Sequence, residues 1–414
     1  MLKNKNILVG VTGSIAIYKT LELIRLYIKA EANVKVIMTE SAKKFITPLT
    51  FETISQNRVL DDTNESWDKD SHYNHIAIGK WADVFVVAPV SVNTINKLSH
   101  GIADNILTQS LIAYPRTKLL CPAANTNMME NPITKQSFQT LKECNYRIVE
   151  PISKELACRD IGNGAMSEVE DIYFATIRHL NRSEYWANRR VVLSGGGTIE
   201  KIDDVRYISN YSSGKMAASI AKALYLKGAD VTLVSTRGHE NLPNAIHTVS
   251  VEKSSEMYEQ LEHALRIARR GKLNLNQELI EKTPYLFMVA AVSDYVPKDV
   301  FEGKLKKENI GQSWKLELTQ NSDILTSLTK KGIISIGFKA ELDDEVALEN
   351  AKGMLNKKEL DAVCLNIINE NNHFGANTNE IELLLKDESF SLSGDKLEVA
   401  FNLASRLEEN FNAY

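Results

Sequence analysis

Read for the spacing of apolar and polar positions, the chain alternates short apolar runs with amphipathic stretches, and does so twice. In the first half the apolar runs lie near 7–11, 34–39, 83–88, 118–123 and 146–149. Runs with so few polar interruptions predict parallel strands covered on both faces. Ser167-Glu168-Val169-Glu170 has capping-box spacing and predicts a helix to about Asn181. The polar stretch from Asn181 to Arg189 predicts a boundary, which gives domains of 1–188 and 189–414. The second half predicts strands near 191–194, 230–235, 285–291, 333–338 and 361–366. Helices are expected at about 215–227, stopped by Gly228, and at about 254–270. A hairpin of Glu380–Leu385 and Ser389–Leu392 and a helix to about Asn410 close the chain, and Gly271–Thr283 reads as a polar insertion. The fold class is α/β: two doubly wound (Rossmann/flavodoxin-like) domains with mostly parallel sheets.

Composition narrows the function classes. A chain of 414 residues is long enough for two cores. A formal net charge of −4 provides no basic field for nucleic acid. No apolar run reaches the ~18 residues of a membrane span. The N-terminal run lacks a small-residue cleavage site, so no signal peptide is expected. Cys121, Cys144, Cys158 and Cys364 show no CxxC spacing, which argues against zinc or a disulfide framework and for the cytoplasm.

The two domain starts carry similar chemistry. Gly10-Val11-Thr12-Gly13-Ser14-Ile15-Ala16 follows the first strand, and Gly195-Gly196-Gly197-Thr198 follows its counterpart. Strand, glycine turn and helix make a phosphate site. The GxGxxG spacing is absent, which argues against a two-domain NAD-dependent dehydrogenase. Hydroxyls of Ser14 and Thr39 at strand ends suit one phosphate better than a pyrophosphate, and so favour FMN over NAD. Ser91, Asn93 and Thr94 follow the third strand, and Asn125 follows the fourth, so both groups face one crevice. By itself His75 reads as structural, and Cys158 as a small apolar loop residue.

Together Gly10–Lys19 (GVTGSIAIYK), the His75 segment, Pro89–Thr94, Pro122–Met128 and the loop Leu156–Met166 resemble the homo-oligomeric flavin-containing cysteine decarboxylases. The resemblance implies an FMN site of Gly13, Ser14, Thr39, Ser91, Asn93 and Thr94. It implies oxidation of the substrate thiol to a thioaldehyde, loss of the carboxylate to give an ene-thiol, and reduction to the thiol. His75 is then the base of the oxidative step, Asn125 holds the substrate carboxylate, and Cys158 on the flap supplies the last proton. Ala124 and Ala165 depart from the Met and Arg usual in that family.

In the second half, Asp203–Met216 (DDVRYISNYSSGKM) places Ser212, Ser213 and Gly214 before a helix, with Lys215 in its first turn. A cation there is disfavoured by the helix dipole unless an anion binds. AAVSDY follows a strand and leads to Gly303-Lys304-Leu305-Lys306-Lys307, a solvated lysine loop or a triphosphate clamp with Asp294 assisting a metal. These motifs, with IGFKAE and LDAVCLN, resemble the phosphopantothenate–cysteine ligases. The resemblance implies that Arg206 and Asn210, with Ser212, Ser213 and Lys215, hold phosphopantothenate. It implies a nucleotide pocket of Met288, Val289, Ala290, Asp294, Ser322, Asp323, Ile324, Leu325, Phe338 and Lys358. Lys304 then neutralises phosphate charge as pyrophosphate leaves, and Asp294 holds Mg²⁺. Ser322 stands where that family has Pro. Met354 stands where it has Lys, for which Lys352 is a candidate substitute.

The two resemblances cover almost the whole chain. They imply consecutive steps of coenzyme A synthesis: CTP-dependent joining of cysteine to 4′-phosphopantothenate through an acyl-cytidylate, then FMN-dependent decarboxylation to 4′-phosphopantetheine. They also imply a homo-oligomer of decarboxylase trimers joined by ligase dimers. A non-catalytic flavin-binding regulator is the other class of reading; His75, Asn125 and Cys158 together argue against it.

Overall fold

The computed structural model describes residues 1–412 except 69–72, 156–160, 240, 271, 274–278, 307–312, 370–371 and 374. Contacts divide the chain into two compact units, Met1–Asn181 and Arg182–Tyr414. No helix among the described residues is long and apolar enough to cross a membrane.

The first unit is built on five parallel strands: β1 (Asn6–Val11), β2 (Asn33–Met38), β3 (Val84–Val90), β4 (Lys118–Pro122) and β5 (Tyr146–Ile148). Their order is β2-β1-β3-β4-β5, the flavodoxin-like arrangement. Every residue of β3 is buried, as its continuous apolar run requires. The order reverses between β1 and β3, so the crevice beyond their carboxyl ends is the switch point where such sheets bind ligands. The expected capping box at Ser167 is not formed. The helix runs Val169–Leu180 with Glu168 at its N-cap and no side-chain cap. Lys19 and Lys154 both pair with the Glu168 carboxylate.

The second unit has an eight-stranded sheet: β6 (Arg190–Gly195), β7 (Asp230–Ser235), β8 (His247–Ser250), β9 (Tyr285–Met288), β10 (Ile334–Glu341), β11 (Ala362–Ile367), β12 (Thr378–Leu384) and β13 (Ser389–Asp395). The order is β8-β7-β6-β9-β10-β11-β12-β13, paired in parallel except at β11-β12 and β12-β13, so that β12 alone runs in the opposite direction. Alternate residues serve opposite faces, as pleating dictates. Leu193, Phe287, Ile336 and Cys364 join the core under the Lys215–Leu226 and Lys396–Phe411 helices. Val192, Leu286, Val363 and Leu365 join the core under Ser254–Ala268 and Asp344–Lys357.

Residues 182–188 pack within this second unit. Trp186 is fully buried, and its indole N–H donates to the Ala404 carbonyl at 3.1 Å. The strand expected over 285–291 stops at Met288. There the Ser194 hydroxyl accepts from the amides of Val289 (3.0 Å) and Ala290 (3.1 Å) and turns the chain out of the ladder. Within the expected insertion, Lys272–Leu273 pairs antiparallel with Leu279–Ile280.

Candidate active sites

In the first unit the turn after β1 is latched to the end of β3. The buried Thr12 hydroxyl donates to the Pro89 carbonyl at 2.9 Å and accepts from the Ser91 amide at 2.8 Å. Gly13 then passes against the Glu40–Lys43 helix, where a Cβ would lie 2.7 Å from Ser41 Cβ. Ser14 leads into the Ile17–Lys29 helix, whose first turn carries no acid, so its positive dipole end is left for an anion. The helix Val92–Ser99 likewise has no acid in its first turn, and Ser91 caps it by accepting from the Thr94 amide at 3.4 Å.

These segments enclose a cavity of about 1010 Å³ whose lining includes Gly13, Ser14, Thr39, Ser91, Asn93 and Thr94. Ala123, Ala124, Asn125, Ala165 and Met166 form another part of its wall. Asn125 caps Thr126–Glu130 through its side-chain oxygen, which accepts from the Asn127 amide at 2.9 Å. The Ala124 amide donates to the Gly164 carbonyl at 3.0 Å, joining this loop to the hairpin of Ile152–Glu155 and Ile161–Ala165. Lys19 and Lys154 line the same space and both pair with Glu168, at 2.7 and 3.1 Å.

His75 lies outside this lining, at the start of the His75–Trp81 helix, with Nδ1 2.7 Å from the Glu65 carboxylate. Cys158 falls outside the described residues. Cys121 is the buried thiol nearby in sequence, on β4. Burial pushes its pKa far up and makes it a poor nucleophile.

The second unit holds a cavity of about 1170 Å³ at its own switch point, beyond β6 and β9. Asn210, Ser212, Ser213, Lys215, Met288, Val289, Ala290, Asp294, Ser322, Asp323, Ile324, Leu325, Phe338 and Lys358 all line it. Gly214, at φ +71°, takes the left-handed conformation that starts the Lys215–Leu226 helix, whose first turn has no acid. Lys215 Nζ donates to the Gly375 carbonyl (2.9 Å) and the Asn377 side-chain oxygen (3.0 Å). Asn210 Nδ2 donates to the Val292 carbonyl at 3.1 Å. Lys358 stands 2.7 Å from Asp323. Burial opposes charge on Asp323, but the lysine and the Thr326 amide hold its carboxyl below the usual range.

Arg206 and Lys304 do not line this cavity; they belong to two loops tied together beside it in sequence. The buried Asp203 carboxylate accepts from the amides of Val205 (2.8 Å), Arg206 (2.7 Å) and Leu305 (3.1 Å). Arg206 returns a bond to the Leu305 carbonyl at 3.0 Å, and the Gly303 amide donates to Asp204 at 2.8 Å. Burial disfavours the charge on Asp203, yet these donors keep its carboxyl below its usual value.

Lys352 is not in the lining either. Met354 is, and Lys339, Lys357 and Lys396 supply cations that the sequence reading did not include. Ser322, in place of Pro, has an amide that donates to the Asn321 side chain at 2.9 Å, a bond Pro cannot make. Among the described residues no group of three or more His, Cys, Asp or Glu side chains could hold a metal by itself.

Comparison with known proteins divides the chain in the same way. A flavoprotein family model matches residues 1–181, and the model of the DNA/pantothenate metabolism flavoprotein C-terminal domain matches 186–411. The coenzyme A biosynthesis bifunctional protein CoaBC of Borreliella burgdorferi is 35% identical over 405 residues, covering 97% of this chain and 98% of its own. The Haemophilus influenzae protein of that name is 35% identical over 415 residues, covering 99% and 98%. Among solved structures, a PPC decarboxylase mutant complexed with pantothenoylaminoethenethiol is 34% identical, with a TM-score of 0.39 over 42% of this chain and 97% of that one. The C-terminal domain of a CoaBC protein is 28% identical, with a TM-score of 0.44 over 56% and 100%.

Proposed function

The chain belongs to the family of bifunctional coenzyme A biosynthesis proteins, a flavoprotein decarboxylase followed by a phosphopantothenate–cysteine ligase, and from that premise we propose how its residues divide the two reactions. The supporting observation is that most of the residues read from each half of the sequence line a single cavity at each sheet's switch point.

In the first unit we assign the cavity to FMN. Its donor set fits: the hydroxyls of Ser14, Ser91 and Thr94 and an acid-free helix N-terminus suit one phosphate, beside an apolar wall wide enough for a ring system. The chemistry FMN supplies when bound is reversible two-electron transfer, which creates and later removes the electron sink that decarboxylation needs. Asn125 donates its amide to the substrate carboxylate. His75 takes the proton in the oxidative step, and Cys158 returns one to the ene-thiol. Because His75 is not in the lining, it acts at the cavity of a neighbouring copy. This accords with a homo-oligomer of decarboxylase trimers joined by ligase dimers.

In the second unit Ser212, Ser213, Gly214 and Lys215 receive the phosphate of phosphopantothenate at a helix N-terminus. Asn210 and Arg206 hold its pantothenoyl part. The substrate carboxylate attacks the α-phosphorus of CTP, the bond to pyrophosphate breaks, and an acyl-cytidylate forms. Cysteine's amine then attacks the carbonyl and CMP leaves. Lys304 neutralises charge on the departing pyrophosphate. A single carboxylate, Asp294, fits the way Mg²⁺ is held, by one or two carboxylates together with substrate phosphates. All substrates are small polar molecules of the cytoplasm.

The decarboxylase roles are tested by Cys158→Ala with added phosphopantothenoylcysteine. The expected product has lost carbon dioxide and is lighter than phosphopantetheine by two hydrogen atoms. Recovery of intact substrate removes Cys158 from the proton-donor role.

A further inference from the structure

The imidazole of His75 does not stand alone. Glu65 Oε1 lies 2.7 Å from its Nδ1 and accepts from the His75 backbone amide at 3.2 Å. The segment that carries Glu65 is pinned to the start of the His75 helix. The Ser66 amide donates to the Tyr73 carbonyl at 2.8 Å, and Asn74 Nδ2 reaches the Ser66 carbonyl at 3.5 Å. The Trp67 ring meets the imidazole edge to face, with centroids 5.3 Å apart and planes at 80°. The His75 and Glu65 side chains are each about one-fifth exposed, so the contact is sheltered from competing water without being sealed off.

An ionised carboxylate can only accept, so the imidazole nitrogen facing it carries the hydrogen. In the neutral ring that leaves the lone pair on Nε2. We propose that Glu65 is a positioning residue for the decarboxylation, fixing His75 in the Nδ1–H tautomer so that Nε2 is the basic atom. The same carboxylate then stabilises the imidazolium formed when Nε2 takes the substrate's proton. This is the division of labour by which a buried acid orients a histidine base. Nothing in the sequence spacing marks Glu65. The inference rests on reading His75 as the base, and the experiment separates the two.

Glutamine at 65 keeps an oxygen for the His75 amide but removes the charge, and its N–H₂ can donate to Nδ1 and reverse the tautomer. In the unmodified FMN-loaded protein at about pH 8, above the ordinary imidazole range, ¹⁵N NMR should show a pyrrole-type Nδ1 and a pyridine-type Nε2 for His75. Glu65→Gln should mix or reverse these signals and lower the decarboxylation kcat about 10- to 100-fold, with KM and flavin content unchanged. A pyridine-type Nδ1 in the unmodified protein overturns the proposal, as does a Gln variant with kcat within twofold of the parent. His75→Asn decarboxylating at the parental rate would instead overturn the role of His75 itself, and this inference with it.

Discussion

Lys19 Nζ lies 2.7 Å from Glu168 Oε2, joining the helix that opens behind the first glycine turn to the last helix of the same unit. Lys154 takes the other carboxylate oxygen at 3.1 Å, and both lysines line the cavity assigned above to FMN. The Lys19 hydrogen bond, helped by Lys154 against the cost of burial, holds the Glu168 carboxyl below its ordinary 4.5.

A depressed carboxyl contributes stability above its unfolded value and loses it as pH falls through the folded one. The contribution of this carboxyl to the stability of the first unit should therefore be level from neutral pH down to about 5 and fall below 4.5. Glu168→Gln should flatten the part of that fall due to this group. It should lower the unfolding free energy at neutral pH by about 1 kcal/mol or less, the contribution of partly exposed pairs. Denaturant unfolding across pH checks this; identical acid profiles for the two proteins would contradict it.

Trp186 contacts Tyr285 with ring centroids 4.8 Å apart, and Tyr285 stacks on Phe287 at 5.8 Å. Arg189 lies over Tyr185 at 3.9 Å and donates to the Thr283 carbonyl at 2.7 Å. Trp186→Ala removes a fully buried indole and should destabilise the second unit by about 3–5 kcal/mol. Denaturant unfolding should show the ligase transition moved to lower concentration while flavin release is unchanged. A common shift of both would contradict the assignment of residues 182–188 to the second unit.

The strands of both sheet centres were legible because burial on both faces writes itself as unbroken apolar runs, as in β3. The closing hairpin was legible too, but the exposed strands were not. β8 has the sequence His247-Thr248-Val249-Ser250 and is largely exposed, so no apolar period marks it. Ile152–Glu155 and Ile161–Ala165 are also mostly exposed, and pair across a bulge in what reads as a loop. The capping box at Ser167 is absent because the helix begins one residue later, with Glu168 at the N-cap in place of Ser167. Among site residues, hydroxyls and amides at strand ends were legible because parallel sheets present their carboxyl ends to ligands. Glu65, Lys339, Lys357 and Lys396 were not, since each gains its meaning only from neighbours brought close by folding.

Lys304 sits on the loop tied by Asp203 and Asp204, outside the lining of the cavity assigned above to the nucleotide, and the role proposed for it is in the reaction. Lys304→Gln should abolish CMP formation, a loss of several kcal/mol of transition-state stabilisation. Decarboxylation of added phosphopantothenoylcysteine should continue at the parental rate. Ligation continuing at more than a tenth of the parental rate would show that Lys304 is not the group that meets the leaving pyrophosphate.

The central claim is that one chain performs both steps in sequence. The direct measurement supplies 4′-phosphopantothenate, cysteine, CTP and Mg²⁺ to the FMN-loaded protein and follows CMP and product mass together. The account predicts equimolar CMP and 4′-phosphopantetheine, with phosphopantothenoylcysteine as a transient. Release of neither CMP nor phosphopantetheine by folded, flavin-loaded protein would contradict it.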